Sequence, residues 1–373
     1  MDIAAKNNEK TVVVGLSGGV DSSVAAMMLK EQGYNVIGVT MRMWQAADAN
    51  EGCGGLEAEA DARRVAEVIG IPHYVLDFRR DFRACVMDVF AAEYVAGRTP
   101  NPCILCNRYV KWEALLAQAE AFGADYVATG HYAHICRDAE NGRYTVVQSE
   151  GGKDQSYMLY SLTQAQLART LMPLWDMPKD EVRAYAERHG LPVAHKADSQ
   201  EICFVPDKDY AAFVAKHTGH AEESGDFVDK EGNRLGRHRG ISHYTIGQRK
   251  GLGIALGKPA FVVDIRPETN EVVLGENEDL RQTRLVAGHL NFMGIAPFEG
   301  ELRAQGKIRY NQVPADCTLR MRGDLLECEF DEPQRAITPG QAAVFYGDGG
   351  VLCGGTILRG LYSVADTKST RGY

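Results

Sequence analysis

The sequence predicts an α/β protein in three parts: an N-terminal parallel-sheet domain, a small central mixed domain and a C-terminal antiparallel β-barrel. Three observations carry this reading. The first third alternates short β-branched runs with helical stretches closed by glycine; past about residue 205 the composition turns Gly- and Arg-rich; from Phe261 onward short alternating runs replace helices. Strands separated by helices imply parallel pairing with helices on both faces, because a parallel connection needs a long crossover. The domain boundaries are placed at 1–208, 209–282 and 283–373.

The elements follow in order. Thr11 to Leu16 is a short apolar run of the kind buried in a parallel sheet. After a Gly-rich turn, Ser22 to Gln32 has helical spacing and closes at Gly33. Val36 to Met41 is the next strand, Leu56 to Ile69 an Ala- and Glu-rich helix ended by Gly70, and His73 to Leu76 and Tyr126 to Thr129 are further strands. Pro178 and Gly190 punctuate a helix over Lys179 to His189. In the last third, Phe261–Ile265, Glu271–Leu274, Lys307–Tyr310, Cys317–Met321, Ala342–Tyr346 and Val351–Ile357 read as strands, with a hairpin turn at Gly347-Asp348-Gly349-Gly350. The polar end, Ser363 to Tyr373, is expected to fray.

Composition narrows the function classes. With 45% apolar and 24% charged residues among 373, the chain is ordinary for a soluble globular protein. No run approaches the ~20 apolar residues of a membrane span, and Met1 to Lys10 lacks a signal-peptide core. A cytoplasmic location and no membrane partner are expected. Nine cysteines, an odd number at irregular spacing, do not form a disulfide framework in a reducing compartment. Cys85, Cys136, Cys317, Cys328 and Cys353 lie in apolar or strand-like runs and read as inert; Cys53, in Glu51-Gly52-Cys53-Gly54-Gly55, stays ambiguous. Net charge is −9, yet Lys230 to Lys258 holds seven Lys or Arg against one Glu. That stretch fits either a polyanion-binding patch or a solvated loop.

Two motifs carry chemistry. Strand Val12 to Leu16 runs into Ser17-Gly18-Gly19-Val20-Asp21-Ser22-Ser23 and a helix. Glycines let backbone approach a ligand, the helix start presents unpaired N–H groups, the serines add donors, and Asp21 can hold a divalent cation. The loop lacks the Gly-Lys-Ser/Thr ending of a Walker loop and the dinucleotide fingerprint; it resembles the loop of ATP pyrophosphatases, which cut ATP between the α and β phosphates. The second motif pairs Thr99-Pro100-Asn101-Pro102-Cys103-Ile104-Leu105-Cys106-Asn107 with Asp198-Ser199-Gln200-Glu201-Ile202-Cys203-Phe204. The prolines predict an exposed loop before a helix starting near Asn107, and a thiol at a helix start is more often the reactive thiolate. A structural zinc reading of Cys103 and Cys106 stays open, although no second ligand pair has suitable spacing.

Further blocks occur in order: Gly97-Arg98-Thr99-Pro100-Asn101-Pro102, Ala128-Thr129-Gly130-His131-Tyr132, Lys153-Asp154-Gln155-Ser156-Tyr157, Gly247-Gln248-Arg249-Lys250-Gly251-Leu252-Gly253 and Pro339-Gly340-Gln341-Ala342-Ala343-Val344-Phe345-Tyr346. From Val13 to about Leu358 the chain resembles the bacterial-type tRNA-specific 2-thiouridylases, which thiolate the wobble uridine of tRNA, within the ATP pyrophosphatase (Rossmann-like) superfamily. The resemblance implies ATP and Mg²⁺ as cofactors, with no metal site of the protein's own. Gly15, Leu16, Ser17, Gly18, Gly19, Val20, Asp21 and Ser22 would bind the phosphates, and Met41 and Gly130 would border the nucleotide. Cys106 matches the family's nucleophile and Cys203 its persulfide carrier, with Asp21 counted as catalytic. Asn101, Pro102 and Cys103 would lie by the target base; Lys153, Asp154, Gln155, His131, Arg309, Tyr310 and Gln341 would contact tRNA. The implied reaction adenylates the C2 oxygen of uridine, then transfers sulfur from a Cys203 persulfide, leaving AMP, pyrophosphate and a Cys106–Cys203 disulfide. Its implied partners are tRNA, a persulfide sulfur donor and a reductant, acting on a monomer. The chain departs from the family pattern at Asn311, where an Arg often follows Arg-Tyr, and at Cys103, where some members carry Asp. Two other classes are weighed: a different synthetase on the same loop, which has no use for Cys106 and Cys203, and a non-catalytic nucleotide- or RNA-binding module, which leaves Asp21 without a task.

Overall fold

The computed structural model describes residues 7, 9–44, 55–149, 153–197, 202–219 and 223–361. Cys53, the stretch Asp198–Glu201, the end Ser363–Tyr373 and most of the polar start lie outside the described residues. The chain divides into two compact units. One runs up to Met87 and includes Pro102–Lys208 and Gly349–Val351; the other comprises Asp88–Asn101, Asp209–Asp348 and the chain from Leu352.

The first unit is built on β1 (Thr11–Gly15), α1 (Val20–Glu31), β2 (Asn35–Arg42), α2 (Leu56–Ile69), β3 (His73–Asp77), β4 (Tyr126–Ala128) and β7 (Thr170–Leu171), with β5 (His134–Arg137) and β6 (Tyr144–Val147) as a separate hairpin. The main sheet is parallel throughout, in the order β3-β2-β1-β4-β7. Strand side chains alternate: Val12 and Val14 join the core formed with Val24, Leu29, Val65, Ile69 and Val182, while Val13 is buried on the opposite face. The sheet order reverses between β1 and β4, and open α/β sheets bind ligands in the crevice beyond the carboxyl ends at such a point.

Two details correct the sequence reading. α1 begins at Val20, with Gly19 as its cap, rather than at Ser22. The expected exposed loop before Asn107 is already helical: α3 (Pro102–Leu105) leads into a π-helical segment, Cys106–Ala114, and then α4 (Leu115–Ala121). Pro102 takes the first helical position, where its missing N–H costs no hydrogen bond.

In the second unit the helix Asp88–Val95 packs on α6 (Tyr210–Thr218), counting Lys179–Arg188 of the first unit as α5. The contact is aromatic: the Phe90 ring lies 6.1 Å from Tyr210 and 5.8 Å from Phe213. A mixed sheet follows from β8 (Asp226–Val228), β9 (Arg234–Arg237), β10 (Phe261–Arg266) and β11 (Glu271–Gly275), in the order β10-β11-β8-β9 with only β11–β8 parallel. The closed antiparallel barrel comprises β12 (Arg281–Phe292), β13 (Glu301–Lys307), β14 (Ala315–Arg322), β15 (Leu325–Arg335), β16 (Ala342–Gly347) and β17 (Gly350–Leu361). Its core holds Leu285, Phe330, Phe345 and Ile357 with Cys317, Cys328 and Cys353. The predicted strand at Lys307–Tyr310 is corrected: β13 ends at Lys307 and the next residues bend away.

The basic stretch is largely compensated. Lys230 pairs with Asp279 at 2.7 Å, Arg234 and Arg237 share Asp226 at 2.9 and 3.2 Å, and Lys258 meets Glu276 at 2.6 Å. Arg239, Arg249 and Lys250 form no ion pair among the described residues. No described helix is long and apolar enough to cross a membrane.

Candidate active site

The loop after β1 is held by its own serines. Ser17 N–H donates to Ser22 Oγ at 3.1 Å, and Ser22 Oγ donates to Gly19 O at 3.2 Å. Ser23, expected as a further donor to a ligand, instead donates to Gly19 O at 2.8 Å and is 1% exposed. Gly18 has φ +71°, and a Cβ there would lie 2.4 Å from Ala58 O. The loop therefore cannot carry a side chain at this position while it packs against the first turn of α2.

Asp21 is engaged from three sides. Its Oδ1 accepts from Tyr132 OH at 2.6 Å and from Lys179 Nζ at 2.6 Å, and Lys153 Nζ stands 3.8 Å from Oδ2. Both ammoniums lie over the Tyr132 ring, at 5.1 and 6.0 Å from its centroid. Asp21 is also the one carboxylate lining the adjacent cavity. Mg²⁺ commonly takes one or two carboxylates together with substrate phosphate oxygens, so this donor set fits such an ion, with Lys179 giving up part of its contact.

The cavity, ≈ 210 Å³, opens at the carboxyl ends of β1, β2 and β4. Its wall includes Gly15 to Ser17, Met41, Met43, Gly130 and His131, together with Lys111 and Gln155. His131 pairs through Nδ1 with Thr129 Oγ1 at 2.8 Å and lies 5.4 Å from the Trp112 ring. Desolvation by the surrounding protein, then the neighbouring cations Lys111 and Lys153, push its pKa well below the ordinary value, so the imidazole is neutral at pH 7. Gln155 is clamped to Tyr132: its Oε1 accepts from Tyr132 N–H at 2.9 Å and its N–H donates to Tyr132 O at 2.9 Å. Asp154 organises the turn beside it, accepting from Ser156 N–H at 3.0 Å and Ser156 Oγ at 2.9 Å.

The two motif cysteines both belong to the first unit. Cys106 is 8% exposed, not on an exposed loop, and its Sγ meets Met43 Sδ at 3.8 Å. The π segment that carries it is pinned by Asn107 Nδ2 to Met158 O at 3.0 Å, by Arg108 to Ser161 O and by Trp112 Nε1 to Thr170 Oγ1 at 2.8 Å. Cys203 is half-buried. Earlier in the chain, Lys196 donates to Asp61, and Arg183 Nη1 donates to Ala194 O at 2.9 Å. Phe204 packs edge-on to Phe82 at 5.6 Å, and the helix of Phe82, Arg79–Phe82, packs on the Cys106 segment. The two cysteine-bearing segments thus share a neighbour. Cys103 is exposed on α3.

Asn101, Arg309, Tyr310 and Gln341 belong to the second unit. There Gln341 Nε2 donates to Thr99 O at 2.7 Å and Thr99 N–H donates to Pro339 O at 2.9 Å, so the Gln341 amide braces the irregular segment that leads to Asn101. Arg309 donates to Arg335 O. Tyr310 is half-buried in the turn after β13.

The family model of the tRNA methyl transferase HUP domain matches residues 10–207, that of the tRNA methyl transferase PRC-barrel domain 211–276, and that of the aminomethyltransferase beta-barrel domain 282–357. The tRNA-specific 2-thiouridylase MnmA of Lachnoclostridium phytofermentans is 58% identical, over 94% of this chain and 100% of its own. The chain belongs to the tRNA-specific 2-thiouridylase family. The thiouridylases of Clostridioides difficile (54% identical, 94% of this chain, 98% of theirs) and Carboxydothermus hydrogenoformans (50%, 97% and 100%) agree. A solved 4-thiouridine synthetase–RNA complex with bound ATP aligns at TM-score 0.33 with 16% identity, over 57% of this chain and 50% of its own, too loosely to carry an argument.

The sequence reading overlooked Tyr132 and Lys179, which hold Asp21, and Met43 and Lys111, which line the cavity. Tyr132 and Lys179 stood inside or beside recognised elements, and their pairing across the fold leaves no local signal. Gly130 supplies a test of the thiouridylase cavity. A Cβ there would lie 2.6 Å from both Asp21 C and Ser22 N. Gly130→Ala is expected to destabilise the fold by about 1–3 kcal/mol through overpacking and to weaken ATP binding more than that loss explains, read by thermal unfolding with and without ATP.

Proposed function

We propose that this chain transfers sulfur to C2 of the wobble uridine of tRNA in an ATP-dependent reaction yielding 2-thiouridine, AMP and pyrophosphate. The observation that supports it most is a single juxtaposition. A cavity at the switch point of a parallel sheet has a phosphate-type loop at one side and, at another, Met43 in contact with the buried thiol of Cys106. The organisation follows the sequence: ATP chemistry in 1–208, tRNA contacts from 209–282, and the barrel from 283–373.

A urea-like carbonyl oxygen is a poor leaving group, and transfer of AMP to it makes it a good one. The loop N–H groups from Gly18 to Ser22, at the positive end of α1, hold the phosphates. Magnesium bound by Asp21 and the phosphate oxygens supplies charge neutralisation. Lys153 and Lys179 keep the Asp21 carboxylate in place. Neutral His131 and Gln155 offer hydrogen bonds rather than charge at the cavity rim, where the base enters.

The outer sulfur of a Cys203 persulfide, loaded by a separate donor, forms a bond to C2. Cys106 thiolate then attacks Cys203 Sγ; the sulfur–sulfur bond of the persulfide breaks, its electrons stay on the transferred sulfur, and AMP departs as the C2=S bond forms. The Cys106–Cys203 disulfide is reopened by a dithiol reductant through exchange. In this step Cys106 leaves its contact with Met43 to meet Cys203 Sγ.

The assay is release of AMP and pyrophosphate from ATP by the purified protein supplied with a persulfide donor and a dithiol reductant, with and without unmodified tRNA transcript. Release that depends on tRNA with a wobble uridine is expected. Release indifferent to tRNA, or none, would falsify the adenylation reading.

A further inference from the structure

The helical run from Pro102 to Ala121 changes register at Cys106, and the change alters which side chains share a face. In an α-helix each residue turns ~100°, so positions five apart differ by ~140° and point to opposite sides. In a π-helix the hydrogen bonds close i→i+5, which brings position i+5 back above position i. The bond from Leu115 N–H to Val110 O shows this register. Cys106 and Lys111 are five apart within the segment. Accordingly Cys106 touches Met43 on the cavity wall, and Lys111 lines that same cavity.

Lys111 is the one Lys or Arg among the described residues lining the cavity. His131 beside it is neutral, and Lys111 is close enough to bias that imidazole against protonation. The ammoniums of Lys153 and Lys179 are engaged at Asp21. A polyphosphate entering the cavity therefore meets Lys111 in its wall, on the same helical segment as the thiol.

We propose that Lys111 is a catalytic residue of nucleotidyl transfer, its ammonium binding the non-bridging oxygens of the ATP α-phosphate and of the uridine adenylate formed from it. The proposal rests on the reading of the cavity as the ATP and uridine site. In the step, uridine O2 attacks the α-phosphorus and a new O–P bond forms. The bond from that phosphorus to the oxygen bridging to the β-phosphate breaks, and pyrophosphate leaves with the electron pair. The N3 proton passes to water, leaving a neutral adenylated base. Negative charge on the α-phosphoryl oxygens is greatest as bonds exchange, and a fixed ammonium in a partly desolvated cavity stabilises it most then.

Lys111→Met and Lys111→Arg are compared with wild type, with persulfide donor and reductant present, for tRNA-dependent AMP release, KM for ATP and thermal unfolding. Lys111→Met is expected to lose about 10²-fold in kcat with a smaller change in KM and an unchanged unfolding midpoint, and Lys111→Arg to recover most of the rate. Should Met impair folding, Lys111→Gln is read in the same way. A folded neutral variant with near wild-type kcat, a loss confined to KM, or an Arg variant no better than Met overturns the role of Lys111 alone. Absence of tRNA-dependent AMP release from wild type removes the underlying activity, and this proposal with it.

Discussion

Cys106→Ala and Cys203→Ser each form no 2-thiouridine while still binding ATP and releasing pyrophosphate in the presence of tRNA. The two variants fail at different points. Without Cys203 no persulfide is carried, so mass spectrometry after incubation with a persulfide donor finds no sulfur adduct at this position. Without Cys106 the persulfide forms and reaches C2, but nothing resolves it, and a reductant-sensitive protein–tRNA adduct accumulates. Neither loss is a folding effect: Cys203 is half-buried, and Cys106→Ala removes one small side chain and its contact with Met43, costing about 1 kcal/mol. Thiolation retained in either variant removes the two-thiol scheme.

Asp21→Ala blocks the earlier step. The carboxylate lies between Lys179, Lys153 and the Tyr132 hydroxyl, and it is the anionic side chain on the cavity wall. On the proposed reading its removal takes away the carboxylate that would hold magnesium and lets both ammoniums shift toward the phosphates. The expected result is a fall of at least about 10²-fold in ATP–pyrophosphate exchange, the size seen when one preorganised electrostatic group is lost. Asp21→Asn, which can still accept from Tyr132, should fold normally and remain inactive. Exchange at the wild-type rate in either variant shows that Asp21 holds neither the metal nor the lysines in a productive place.

The parts of this site that were legible in the sequence are those whose chemistry is local. Gly18 and Gly19 between a β-branched strand and a helix announce a phosphate loop, because turn, close approach and helix start all fall within a few residues. Cys106 and Cys203 were legible from their neighbours, although the burial of Cys106 was not. Pro102 was read as stiffening a loop, whereas it opens a helix that carries the thiol inward. Lys111 was hidden by the π register, since α-helical spacing puts it opposite Cys106. The pairing of Lys179 with Asp21 joins the starts of two helices far apart in sequence.

The barrel shows the same limit. β12 escaped notice because its alternation is broken by register shifts and by His289 at φ 51°. β15 carries Leu326, Cys328 and Phe330 inward against Glu327 and Glu329, a readable alternation, but Pro333 argues against a strand. The basic stretch from Lys230 looked open because Asp226, Asp279 and Glu276, which neutralise four of its cations, lie outside it in sequence.

The most direct measurement is nucleoside analysis of an unmodified tRNA transcript incubated with the purified protein, ATP, Mg²⁺, a persulfide donor and a reductant. The account predicts 2-thiouridine at the wobble position, formed only when ATP is present and in step with AMP release. Transcript recovered with its wobble uridine unchanged, under conditions where the protein is folded and Cys203 carries the sulfur adduct, contradicts it.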